Sequence, residues 1–91
     1  MLYAWMGFLK AGAEPISPEL QQLGTDFLSQ PLIKIHMFGP LRDETGHRAG
    51  MLMIFEQDSF EAARSFVTAS PFLQAGLYED ARLYEYANEA G

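Results

Sequence analysis

The first nine residues, MLYAWMGFL, alternate with a period of two: Leu2, Ala4, Met6 and Phe8 fall on one side, Tyr3 and Trp5 on the other. Apolar side chains on both sides predict a strand covered on both faces. Gly12 and Pro15 break the run. The period then lengthens. In SPELQQLGTDFLSQ, Leu20, Leu23, Phe27 and Leu28 recur at helical spacing, so a helix is expected with these four against a sheet. Ser17 is its expected N-cap and Pro18 its first residue. Gly24 inside that helix costs roughly 1 kcal/mol relative to Ala and is read as room for close packing.

PLIKIHMFGPL, Pro31 to Leu41, predicts a second strand ended by Gly39-Pro40, with Ile33, Ile35 and Met37 on one face and Lys34, His36 and Phe38 on the other. RDETGHRAG is a polar turn of hairpin length, and GMLMIFEQ is a third strand, apolar on both faces. DSFEAARSFVTA predicts a second helix capped by Asp58 or Ser59, Asp58 and Glu61 having capping-box spacing, with Phe60, Ala63, Phe66 and Val67 as its buried stripe. Ser70-Pro71 followed by Gly76 spells one short helical turn: N-cap, Pro at the first position, Gly after the end. LYEDARLYEYA is a fourth strand, and residues 87–91 are expected to form a loose tail on a single domain spanning 1–91.

Strand, helix, strand, strand, helix, strand is the order of an α+β, ferredoxin-like βαββαβ fold, a four-stranded antiparallel sheet with two helices on one face. The helices leave the other face open. Tyr3, Trp5, Phe38 and alternate residues of GMLMIF are expected there. An apolar surface of that extent on a small monomer invites aggregation unless covered. The expected cover is a second copy, a homodimer packed sheet to sheet about a twofold axis.

Composition narrows the partners. The chain has 91 residues, 48% of them hydrophobic, enough for one folded domain. It contains no cysteine, which removes disulfides, thiolate metal sites and thiol nucleophiles. Six Lys plus Arg stand against twelve Asp plus Glu, a net charge of -6. Lys10, Lys34, Arg42, Arg48, Arg64 and Arg82 are scattered, so neither nucleic acid nor an anionic membrane surface is expected as partner. The apolar start is too short to span a bilayer and lacks a basic lead, so the default is a cytoplasmic protein.

Few side chains suggest chemistry. His36 is a candidate proton carrier on a sheet face, with a space-filling or interface histidine as the plainer reading. His47, in the hairpin, is expected at the surface, and the two histidines have no metal-ligand spacing, so no metal and no cofactor is implied. Tyr3, Trp5, Phe38 and Tyr84, with Tyr86, form either an aromatic lining for a planar ligand or the dimer core. Arg42 is a candidate partner for a carboxylate-bearing ligand. Phosphate-binding glycine loops and Ser-His-Asp arrangements are absent from the sequence.

GPLRDETG, GMLMIFEQDSFEAA and ASPFLQAGLYED running into LYEY resemble the YCII-related (YciI-like) family. The resemblance implies a ferredoxin-like dimeric α/β barrel. It also implies an acid/base dyad, a His on or near the first helix with an Asp before the Pro of the short turn. Here SPELQQLGTDFL holds no His, and Ser70 stands at the Asp position. Three functions follow. The first is a small dimeric protein binding an aromatic or anionic molecule between sheet and helices or at the dimer face. The second is an enzyme for proton abstraction, elimination or isomerisation of a small cyclic substrate, with His36 as acid/base, Ser70 positioning and Arg42 orienting. The third is a structural or regulatory dimer.

Overall fold

In a computed structural model describing residues 1–12, 16–31 and 33–89, strand β1 (Leu2–Leu9) leads to helix α1 (Pro18–Leu28). A hairpin of β2 (Ile35–Arg42) and β3 (Arg48–Glu56) follows, then α2 (Phe60–Thr68), the short α3 (Pro71–Gln74) and β4 (Tyr78–Glu85). All pairings are antiparallel and the spatial order is β2-β3-β1-β4. The molecule has the ferredoxin-like α+β fold, with the short α3 added after α2. Pro15 of the first loop lies outside the described residues, as do the last two residues of the expected tail.

The central strands β1 and β3 pair Tyr3 with Phe55, Trp5 with Met53 and Gly7 with Met51. The side chains of Tyr3, Trp5, Met51, Met53 and Phe55 point toward the helices and pack with Ala63, Phe66 and Val67 of α2. Tyr3 and Phe55 are fully buried, and Phe66 bridges Phe55 at 5.1 Å and Phe27 of α1 at 4.8 Å between ring centroids. Each such ring contributes about 1.5–3 kcal/mol by leaving water. Ser59 starts α2, its hydroxyl accepting from Ala62 N–H at 3.1 Å, and Ser17 accepts from Leu20 N–H at 3.2 Å in α1. The cap of α2 is therefore Ser59, and the capping box from Asp58 does not form.

The faces of the sheet differ from expectation. Tyr3, Trp5 and Phe38 belong to the helix side, because the core there takes the deepest and bulkiest rings. The open face carries Leu2, Ala4, Met6 and Phe8 of β1, Leu52 and Ile54 of β3, and Tyr84 of β4. In β2 the alternation breaks: Ile35 pairs with Phe55 but Met37 with Ile54, so His36 is the extra residue of a bulge. That one residue puts Ile35 and Phe38 on the helix side together and turns Met37 outward, 64% exposed. In α1 the inward stripe is Gly24, Phe27 and Leu28, while Leu23 is exposed, because the helix rests on α3 as well as on the sheet.

Candidate functional site

A cleft of about 610 Å³ opens between α1 and the end of the β2–β3 hairpin. Its apolar walls are Leu28 of α1, Phe38 and Met51 of the sheet, and Phe72 of α3. Gln21 and Thr25 from α1 and His47 and Arg48 from the hairpin supply its polar rim. A narrow crevice shares Leu28, Phe38 and Phe72 with the cleft and continues inward to Trp5, Met53, Val67 and Ser70.

Local sequence explains how the walls come together. Gly24 has no side chain, so the Phe72 ring lies directly on α1; a Cβ at Gly24 would fall 2.2 Å from the ring. Pro71 sets the first turn of α3, and Gly76, at φ 70°, ends it in the left-handed region that favours glycine. Ser70 occupies the N-cap position but its hydroxyl makes no capping bond, unlike Ser17 and Ser59. Ser70, itself buried, lines the crevice.

The hairpin holds a second piece of order. Asp43 Oδ1 accepts from Thr45 N–H at 2.9 Å, His47 N–H at 3.0 Å and the Thr45 hydroxyl at 2.6 Å. The Thr45 hydroxyl, foremost, and the His47 backbone hold the Asp43 carboxyl below its ordinary range. Thr45 Oγ1 also meets His47 Nδ1 at 2.7 Å. The hydroxyl has one proton, and the short contact to a carboxylate takes it. In the neutral imidazole this arrangement has His47 donate Nδ1–H to Thr45 and leaves Nε2 as the acceptor. Arg48, next in the chain, donates from its side chain to Met51 Sδ at 3.9 Å, and among the described residues has no carboxylate partner. Close by, burial pushes the Tyr78 phenol up, against the pull of Arg48.

The residues singled out from sequence are dispersed. Trp5 lines the crevice and Phe38 both cavities, whereas Tyr3 is sealed beneath α2 against Phe55 and Phe60. Tyr84, 49% exposed, lies on the open face, and Arg42 ends β2 opposite Arg48, outside the cleft lining. His36 Nε2 meets Glu56 Oε1 at 3.0 Å on the outer side of the sheet. That bond is the main reason the Glu56 carboxyl sits below its ordinary range. His47, expected at the surface, is exposed and also forms the cleft rim with Arg48. No group of three or more metal-ligating side chains occurs among the described residues. No helix there is long and apolar enough to cross a membrane.

The sheet is ferredoxin-like, and the cleft has apolar walls and a polar rim. The profile of the YCII-related domain matches residues 3–87, and the chain belongs to that family. No functionally curated protein matches its sequence. Among solved structures it is similar to 5-chloro-2-hydroxyhydroquinone dehydrochlorinase from Burkholderia phenoliruptrix AC1100, solved in complex with 2,5-dihydroxybenzoquinone. The TM-score is 0.73 at 24% identity, covering 96% of this chain and 94% of the other. It is also similar to At3g17210 from Arabidopsis thaliana, with TM-score 0.50 at 11% identity over 99% and 96% of the two chains. At these identities the likeness establishes the fold.

Proposed function

We propose that this protein binds a small, ring-shaped molecule, aromatic or anionic, in the cleft between α1 and the β2–β3 hairpin. The observation that carries the reading is the cleft itself. Its volume of about 610 Å³ lies in the range of small-molecule sites and is ample for a ring with its substituents. Phe38 and Phe72 offer aromatic faces, and Gln21, Thr25, His47 and Arg48 offer polar groups at one end only. A ring would bury its flat surface on the first set and turn its polar substituents to the second. Support also comes from the dehydrochlorinase of similar fold, which was solved with a dihydroxylated quinone. The family dyad does not carry the function: α1 has no histidine and Ser70 replaces the acid, so any proton transfer uses other groups.

The protein acts as a homodimer through the open sheet face. That face exposes Met37, Phe8 and Tyr84, and only another molecule removes them from water. Cleft and dimer face lie on opposite sides of the sheet, so the two properties are separable.

Titration of the isotope-labelled protein with 2,5-dihydroxybenzoquinone, followed by NMR, tests the cleft. Saturable shifts centred on Thr25, Phe38, His47 and Met51 are expected. Absence of shifts there up to millimolar ligand, for this and other monocyclic phenols and acids, defeats the reading.

A further inference from the structure

We infer that His47 is the proton acceptor of the cleft, and that His47 and Arg48 together receive the weakly acidic hydroxyl of a phenol or enol. The inference rests on the ligand cleft proposed above and names the chemical class it takes. Three observations support it. The bond from His47 Nδ1–H to Thr45, 2.7 Å long and backed by Asp43 at 2.6 Å, orients the imidazole and leaves Nε2 as an acceptor. The same residue lines the cleft. Its neighbour Arg48 lines the cleft too, with no carboxylate partner among the described residues.

These groups ask for different things. Arg48 favours a negative oxygen, whereas an acceptor lone pair at Nε2 repels one. A carboxylate arriving ionised satisfies the guanidinium and opposes the imidazole. A hydroxyl that brings its proton satisfies both. Its O–H bond breaks, an Nε2–H bond forms, and the electron pair stays on oxygen, delocalised into the ring and paired with Arg48. The imidazolium so formed keeps Nδ1–H on Thr45, whose oxygen is polarised by the Asp43 carboxylate. The ring rests on Phe38, Phe72, Leu28 and Met51. Asp43, Glu44, Arg42 and Arg48 are the charged groups of the hairpin around His47, and the facing side of α1 supplies the uncharged Gln21 and Thr25.

The test compares 4-nitrophenol, whose phenolate has its own absorption band, with nitrobenzene, which has no proton to give. In wild-type protein, bound 4-nitrophenol is expected to show the phenolate band at a pH where the free compound does not. In His47→Gln and Arg48→Met its affinity is expected to fall about tenfold, the scale of one charge-assisted hydrogen bond, and the band to disappear. Thr45→Val, which keeps the shape of the hairpin side chain and removes its hydroxyl, is expected to weaken the band. Nitrobenzene affinity is expected to stay level in all three variants. If both compounds bind at the cleft and none of the variants alters the phenolate band, His47 is not the acceptor, while the cleft reading stands. If neither compound shifts cleft resonances, the cleft reading fails and this inference with it. Nitrogen chemical shifts placing the proton of neutral His47 on Nε2 in the free protein also overturn the inference.

Discussion

One hydroxyl, Thr45 Oγ1, links a carboxylate to an imidazole and so fixes which nitrogen of His47 is available. The carboxylate end has a consequence for acid stability. The folded Asp43 carboxyl titrates below its ordinary value, chiefly because the Thr45 hydroxyl donates to it. A depressed folded value means the carboxylate stabilises the hairpin at pH above the unfolded value of about 3.9, and that contribution is lost as pH falls through the folded value. A carbon-detected NMR titration is expected to place Asp43 below its ordinary value, and Asp43→Asn is expected to flatten the acid limb of the melting curve. An ordinary midpoint for Asp43 counts against the chain of bonds. Glu56 is shifted in the same direction by His36, so Glu56→Gln works as a second and independent acid-stability variant on the outer side of the sheet. None of this was legible in RDETGHRAG, which shows only a polar turn. The place of His47 and Arg48 at the cleft comes from the hairpin facing α1 across it, a juxtaposition of residues more than twenty positions apart that no local period encodes.

At the scale of elements, the sequence was far more informative, because period and capping chemistry are local. Both main helices and all four strands lie where alternation and helical spacing put them, within a few residues at their ends. The phase of β2 was not readable: Ile35, His36, Met37 and Phe38 alternate evenly on paper, and the bulge that shifts them is a property of the pairing with β3. The caps make a sharp comparison. Ser59→Ala removes a bond to Ala62 N–H and is expected to cost about 1 kcal/mol by thermal or denaturant unfolding. Ser70→Ala removes no capping bond and is expected to cost clearly less, while widening the crevice beside Trp5 and Phe72. A larger loss for Ser70→Ala than for Ser59→Ala contradicts the assignment of their hydroxyls. Gly24 sets helix against helix. In Gly24→Ala a gain of about 1 kcal/mol in helix propensity is opposed by overpacking of about 1–3 kcal/mol against the Phe72 ring. Net destabilisation of about 1 kcal/mol is expected, together with altered ligand binding, since the Phe72 ring that must shift lines both the cleft and the crevice. Unchanged stability and unchanged affinity in that variant exclude the close contact.

The whole molecule is decided by what covers the sheet. The sequence correctly showed that both faces are apolar, but assigned them the wrong way round: the large rings Tyr3 and Trp5 went inward, and the outer face kept Leu2, Met6, Phe8, Leu52 and Ile54. The outer set is also apolar, so that face still calls for a partner. Four strands about 4.8 Å apart and about eight residues long at 3.3 Å each make a face of roughly 500 Å² in projection, and more once side chains are counted. That approaches the roughly 800 Å² per partner of a stable interface. The edge strand contributes its most exposed apolar residue, Met37, and the opposite edge contributes Tyr84. Sedimentation at micromolar concentration is expected to give a dimer, with a melting temperature that rises with protein concentration because only the native state associates. Met37→Glu and Leu52→Lys place charge on the open face and are expected to yield a monomer whose melting temperature no longer depends on concentration. The cleft opens on the other side of the sheet, so the same monomer is expected to bind 2,5-dihydroxybenzoquinone with affinity within about twofold of wild type, inside the few tenths of a kcal/mol by which distant sites fail to be independent. A wild-type protein that sediments as a monomer with a concentration-independent melting temperature removes the dimer. A monomeric variant that loses the ligand places the binding site on the shared face instead, and the cleft then has no claim to it.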